Sequence, residues 1–297
     1  MVLSRRLQAD LCIVALSAIW GSTFVVIKWA LDDISPFLYI TLRFAAASIP
    51  LCFLVRKGAI GGDTRGATLI GGLVTGSLLF TGFAFQTVGI QYTTAARSAF
   101  ITGMYVIFTP LLSILLRLRR PSINSILGAC LALAGLHLLT DPTAGGGGFG
   151  RGEFLTLLCA IAFSGHLIAV DHYTRRHDRA AIAFLQVAVV AFLAVGPALL
   201  FEQTRFVPTG GLWAALAVTS ILGTALAFWL LNMVQAWTSP TRAAIIFAAE
   251  PVFAALTSWL VEGEVLRGLA LVGAGLILSG MLMAEIGPFG RRQSAPA

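Results

Sequence analysis

The chain has 297 residues, of which 58% are apolar and only 11% charged, with a formal net charge of +7. A soluble globular chain carries roughly 25% charged residues, so this composition excludes an ordinary soluble domain and points to a bilayer as the solvent. The positive excess does not indicate a nucleic-acid partner, because the basic residues sit in short loops between apolar runs and form no continuous basic face.

In chain order, apolar runs bounded by charges, Gly and Pro predict spans at about 11–31, 35–55, 67–88, 93–116 and 123–140. Each approaches the ~20 residues needed to cross ~30 Å of hydrocarbon. The first run follows Arg5 and Arg6 as a signal peptide would, but it contains Trp20 and Lys28 and shows no small-residue cleavage site, so it is read as a retained span. The stretch 141–152, with Gly145 to Gly148 in a row, is the one flexible segment and divides the chain. A second set of spans follows at about 153–171, 180–201, 211–234, 239–261 and 267–285. The expected fold is an all-α membrane protein of ten transmembrane helices. Its division is a first repeat at 1–144, a Gly-rich linker at 145–152, and a second repeat with a cytoplasmic tail at 153–297.

Ten spans place Arg5, Arg6, Arg56, Lys57, Arg65, Arg117, Arg119, Arg120, Arg175, Arg176, Arg179, Arg291 and Arg292 on one side, and only Arg151, Arg205 and Arg267 on the other. Positive charge accumulates on the cytosolic side, which predicts cytosolic termini. Laid against itself with a shift of 145 residues, the chain matches 83–135 to 228–280 without a gap, and 14 of 53 positions are identical. Apolar composition alone would give roughly one in ten. Arg97 faces Arg242, Gly128 faces Gly273 and Gly135 faces Gly280. Two repeats of five spans each must enter the membrane from opposite sides, so the repeats are predicted to be inverted, an arrangement that recurs in secondary transporters.

Ile19-Trp20-Gly21-Ser22-Thr23-Phe24 in the first span, Pro110 and Glu250-Pro251 in the fourth and ninth, and the glycines of the fifth and tenth stand in an order and spacing that resembles the drug/metabolite transporter superfamily, specifically its EamA-type exporters. Within that superfamily the overall resemblance is to YddG-like aromatic amino acid exporters. It implies a multi-pass protein of a bacterial inner membrane that exports amino acids (aromatic or hydrophobic, extending to Thr and Met) or related small metabolites. Multidrug, lipid-linked sugar and nucleotide-sugar transport are the alternatives.

Several polar or aromatic residues sit within spans, where charge is costly and usually faces a bundle interior or water. Arg97 and Arg242 lie near the starts of spans four and nine, either as interfacial anchors or as a symmetric pair at two mouths of a pathway. Glu250 lies too deep to reach the interface and either binds a substrate amine or proton, or caps backbone groups freed by Pro251. Pro110 is expected to bend span four in the same way. Trp20 either stacks on an apolar or aromatic substrate or fills the core; Thr23 follows it by one helical turn. Arg43, about 12 Å into span two by the helical rise, either binds a substrate carboxylate or joins an internal pair. Tyr105, His166, Trp229 and Asn232 also sit at depth and suit a zwitterion; His166 offers titration in a coupling step, with satisfaction by a neighbouring carbonyl the preferred reading. Lys28 reads as an anchor, and Gly72 with Gly76 as a close helix contact. Cys12, Cys52, Cys130 and Cys159 read as small buried residues without a disulfide or metal site. No clustered catalytic groups or P-loop occur, so no enzyme activity, cofactor or metal is expected. The expected partners are a small-molecule substrate and the lipid bilayer, with no nucleic acid and no obligate protein partner. Spans one, three, four, six, eight and nine are predicted to line a midplane cavity.

Overall fold

The computed structural model describes residues 5–55, 60, 65–117, 123–140, 148–234 and 246–285. Among them every regular element is helical, apart from an isolated bridge between Ile34 and Phe206. Helices α1 (Arg5–Ala30), α2 (Pro36–Leu54) and α3 (Arg65–Gly89) occupy the first three expected spans. The fourth is divided at Met104 into α4 (Ala95–Gly103) and α5 (Tyr105–Leu115), and the fifth is α6 (Ile123–Leu139). α7 (Arg151–Thr174) and α8 (Arg179–Leu200) follow. The eighth run consists of α9 (Gly210–Ala217), a π-helical stretch Val218–Leu226, and α10 (Ala227–Val234). The ninth is described from Ile246 onward, chiefly as α11 (Glu250–Glu262), and the tenth is α12 (Gly268–Glu285). Seven of these runs are long and apolar enough to cross a membrane, and α6 and α12 are shorter apolar helices.

Helices satisfy their backbone groups internally, which is the condition for crossing hydrocarbon. Their outward faces carry large apolar side chains, among them Phe53, Leu115, Phe192 and Leu199, that water would not favour and lipid does. The cysteines need a correction on the same ground. Only Cys159 is buried; Cys52 and Cys130 are exposed on α2 and α6, where a lipid-facing surface accepts a small apolar thiol.

Small residues set the closest helix approaches. A Cβ on Gly128 would lie 2.6 Å from the Gly280 carbonyl oxygen, and one on Gly135 would lie 2.6 Å from that of Gly273. The pairing of rising with falling residue numbers makes α6 and α12 antiparallel neighbours. On α3, Gly72 and Gly76 admit Leu185 and Val189 of α8, as their spacing predicts. The two halves also pack in matched pairs: α3 lies on α7 as the eighth run lies on α1, and α1 lies on α11 as α7 lies on α4 and α5.

The fourth run breaks at Met104, and Pro110, the residue expected to bend it, lies inside α5 six residues beyond. Met104 N–H bonds to the Ile101 carbonyl, and the Met104 carbonyl accepts from Ile107 and Phe108. Ala249 N–H bonds to Ile246 in the same way, and its carbonyl accepts from Val252 and Phe253. Every one of these positions is related by the 145-residue shift. Pro251 starts α11 rather than bending it, in the first turn where its missing N–H leaves no bond unmade.

One end of the bundle is closed by polar contacts between the halves. Thr93 Oγ1 donates to Glu153 at 2.5 Å, Trp29 Nε1 to Glu262 at 3.0 Å and Thr209 Oγ1 to Asp33 at 2.5 Å. Glu202 accepts from the Phe37 N–H at 2.9 Å, and Glu264 accepts from the Ala96 N–H and from Ser258. Lys28, expected as an anchor, donates to the Thr93 carbonyl at 2.6 Å at this same end.

Candidate functional site

The midspan of α1 carries Trp20, whose ring stacks on Phe247 with centroids 5.4 Å apart and tilts against Phe228 at 6.3 Å. Its Nε1–H donates to the Gly223 carbonyl at 3.0 Å. Thr23 turns back to the Trp20 carbonyl at 2.7 Å and sets its methyl group against Gly223, where any side chain would crowd it.

Gly223 belongs to the π-helical stretch, which two local hydroxyls brace. Thr224 Oγ1 donates to the Thr219 carbonyl five residues back at 2.9 Å, and Thr219 Oγ1 donates to Ala215 at 2.7 Å. π-segments widen a helix and occur often at functional sites. This one receives side chains from two other helices: Trp20 at Gly223, Tyr39 at Thr219 (2.8 Å) and Arg43 at Thr224 (3.0 Å).

Arg43 is only 2% exposed, yet it does not lie in an ion pair with any described carboxylate. Its guanidinium stands 4.9 Å from the Phe83 ring centroid and 5.4 Å from that of Phe44, with the Tyr39 hydroxyl beside it. Nη2 reaches the Gly223 carbonyl only at 3.5 Å, and Nη1 has no hydrogen-bond partner.

Two further polar groups border this cluster. Tyr105 and Glu250, the first residues of α5 and α11, meet side chain to side chain, with Glu250 8% exposed. They are counterparts under the 145-residue shift. Ser164 of α7 donates to the Tyr105 carbonyl at 3.1 Å, and Gly21 packs directly on the Glu250 backbone. His166 Nε2 lies 2.7 Å from Gln186 Oε1, so this buried pair satisfies itself. Phe163 links the regions by packing on Phe83 at 5.3 Å.

Among the expected residues, the structure brings Trp20, Thr23 and Arg43 into one cluster, joined to Tyr105 and Glu250 through Phe247 and Gly21. Arg97 stands apart near the Thr94-capped start of α4, and Trp229 is 38% exposed and stacks on no described ring. The Asn232 side chain and Arg242 lie outside the described residues. The sequence reading omitted Phe83, Thr219, Gly223, Thr224 and Gln186. The small-polar run Thr219-Ser220 with Gly223-Thr224, and a lone amide deep in an apolar span, were the signals that could have found four of them.

The model of the EamA-like transporter family matches the chain twice, at residues 7–140 and 150–285. A protein of Archaeoglobus fulgidus named "Uncharacterized transporter" is 34% identical, covering 95% of this chain and 87% of its own length. A Salmonella typhimurium protein named "Probable amino-acid metabolite efflux pump" is 25% identical over 91% of this chain and 92% of its own. The Escherichia coli protein named "Uncharacterized inner membrane transporter YedA" is also 25% identical, covering 93% and 90%. A solved crystal structure aligns with a TM-score of 0.65 at 22% identity, covering 93% of this chain and 96% of that protein, which shows the fold alone.

Proposed function

The chain belongs to the EamA-like transporter family and is an integral multi-pass membrane protein, and on that premise we propose that it is a secondary transporter exporting amino acids or related small metabolites. Aromatic and hydrophobic amino acids are its best substrates, with Thr and Met within reach. The observation that carries this reading is the midspan cluster around Trp20, where Phe228 and Phe247 of the second half pack on the indole while Phe44 and Phe83 of the first half flank the buried Arg43. A relative named for amino-acid metabolite efflux supports the substrate class.

Transport proceeds by alternating access, in which two inverted repeats, 1–144 and 153–297, rock about that cluster. The inverted sense is supported at the end that Thr93, Glu153, Asp33 and Thr209 close: α1 ends there while its counterpart α7 begins there. Ten spans, with the arginine-rich loops and both termini in the cytosol, follow from the same arrangement. The chain acts as a carrier and not as an enzyme, and it draws on a gradient or on downhill flow. Arg97 marks one of its mouths, and Trp229 flanks the eighth-run wall of the pathway.

Uptake of labelled phenylalanine, tryptophan, threonine and methionine into liposomes holding the purified protein tests this. Saturable uptake that Glu250→Gln and Trp20→Ala reduce in folded protein is expected, and uptake no greater than in empty liposomes refutes the amino acid reading. Cysteines at positions 105 and 250 are expected to react with water-soluble reagent; inaccessibility from both sides would refute the pathway.

A further inference from the structure

Arg43 is the one cation the described structure buries at midspan without an anion, and its surroundings hold it without satisfying it. Nε is fixed by Thr224 at 3.0 Å, two aromatic faces hold the guanidinium plane, and Nη1 is left without a partner. Removing a charge from water costs several kcal/mol unless an opposite charge and full hydrogen bonding offset it, so an arginine kept here unmatched needs an explanation beyond packing.

The other half of the chain supplies a control. A shift of 143 residues lays Trp20 on Phe163, Thr23 on His166 and Arg43 on Gln186. There the equivalent position holds the uncharged amide of Gln186, which is joined to His166 at 2.7 Å. The rings also correspond: Trp20 bonds to Gly223 in the eighth run, and Phe163 lies on Gly82 in α3. The second half therefore builds the equivalent position with an uncharged amide, while Thr23 and Arg43 turn to other partners. The guanidinium at position 43 is surplus to the fold.

Resting on the reading of the chain as a transporter, we propose that Arg43 is a substrate-binding residue that anchors a carboxylate through its unfilled Nη1 edge, so the protein selects ligands bearing a carboxylate beside an apolar or aromatic body. Arginine suits the task because its planar fork of donors matches the two oxygens of a carboxylate. Trp20 holds the same Gly223 carbonyl that Nη2 reaches weakly at 3.5 Å. The indole so held keeps its ring face beside the guanidinium for the ligand's side chain.

The test is ligand-dependent thermal stabilisation of the full-length protein in detergent, with four probes: phenylalanine, 3-phenylpropionate, phenylalaninamide and phenethylamine. The two acids are expected to raise the midpoint at concentrations about tenfold or more below those required of the two amines, the range of one charge-assisted hydrogen bond. Arg43→Gln is expected to erase that preference. Amines as effective as acids, or no stabilisation by either acid, overturn the proposal. A folded Arg43→Gln that weakens acids and amines equally overturns it as well, since that is the signature of a packing role. If 3-phenylpropionate stabilises and phenylalanine does not, the carboxylate anchor stands and the amino acid reading fails. The wild-type series decides by itself if Arg43→Gln does not fold.

Discussion

Replacing Gly135 with alanine places a Cβ 2.6 Å from the Gly273 carbonyl oxygen and 2.8 Å from the Ile277 nitrogen, both backbone atoms that no rotamer change can move. Ordinary contact begins near 3.4 Å, so α6 and α12 must separate by 3.4 − 2.6, or about 0.8 Å, at that crossing. A gap of that size forfeits roughly a quarter to a half of each dispersion contact across it, and overpacking of this kind costs about 1–3 kcal/mol. Thermal unfolding in detergent should therefore show Gly135→Ala melting lower, by on the order of 2–4 °C per kcal/mol. Gly128 and Gly280 meet one another, so the double change at that pair should cost less than the sum of its parts: the first alanine has already parted the helices. Gly128 and Gly135 lie seven residues, about 10 Å, apart along α6, so changes at these two crossings should add. An unchanged midpoint for Gly135→Ala, or additivity within the Gly128–Gly280 pair, would refute the reasoning.

Trp20→Phe removes the Nε1–H donor to Gly223 but keeps a ring on Phe247, and should weaken half-saturation for an aromatic substrate by about 2- to 10-fold, the worth of one neutral hydrogen bond; equal kinetics would show that the bond contributes nothing. Gln186→Leu alone strands buried His166 and should destabilise by roughly 1–3 kcal/mol, whereas the double change with His166→Leu should recover most of that loss, and a double variant no more stable than the single would count against the pair being self-contained.

Helix placement was readable because in hydrocarbon it depends on run length and charge, which are local properties. The duplication and the Gly128, Gly135, Gly273 and Gly280 contacts were readable because backbone approach tolerates no Cβ, which leaves a mark at single positions. Arg43 and Glu250 stood out by cost alone, as charges in apolar runs. What escaped depends on partners distant in sequence. The π-winding at Gly223 is held by Trp20, Tyr39 and Arg43, from about 180 to 203 residues away. Gln186 acquires meaning only beside His166. The position of the break was also hidden: Pro110 carries the local signal for a bend, but the chain breaks at Met104, where its counterpart Ala249 breaks too.

Those paired interruptions have a mechanical consequence. In the alternating-access reading proposed above, exchanging the conformations of the two halves, with Met104 and Ala249 trading places, turns an arrangement open on one face into one open on the other, at little cost in backbone energy. The hinge is thus balanced, while the residues that follow it, a phenol at Tyr105 and a carboxylate at Glu250, are not alike. Any preference between the two facings must come from such mismatched side chains and from the ligand, because a ligand shifts an equilibrium only by its differential affinity for the two states. A duplicated skeleton of this kind works as a level see-saw on which only the passengers differ in weight.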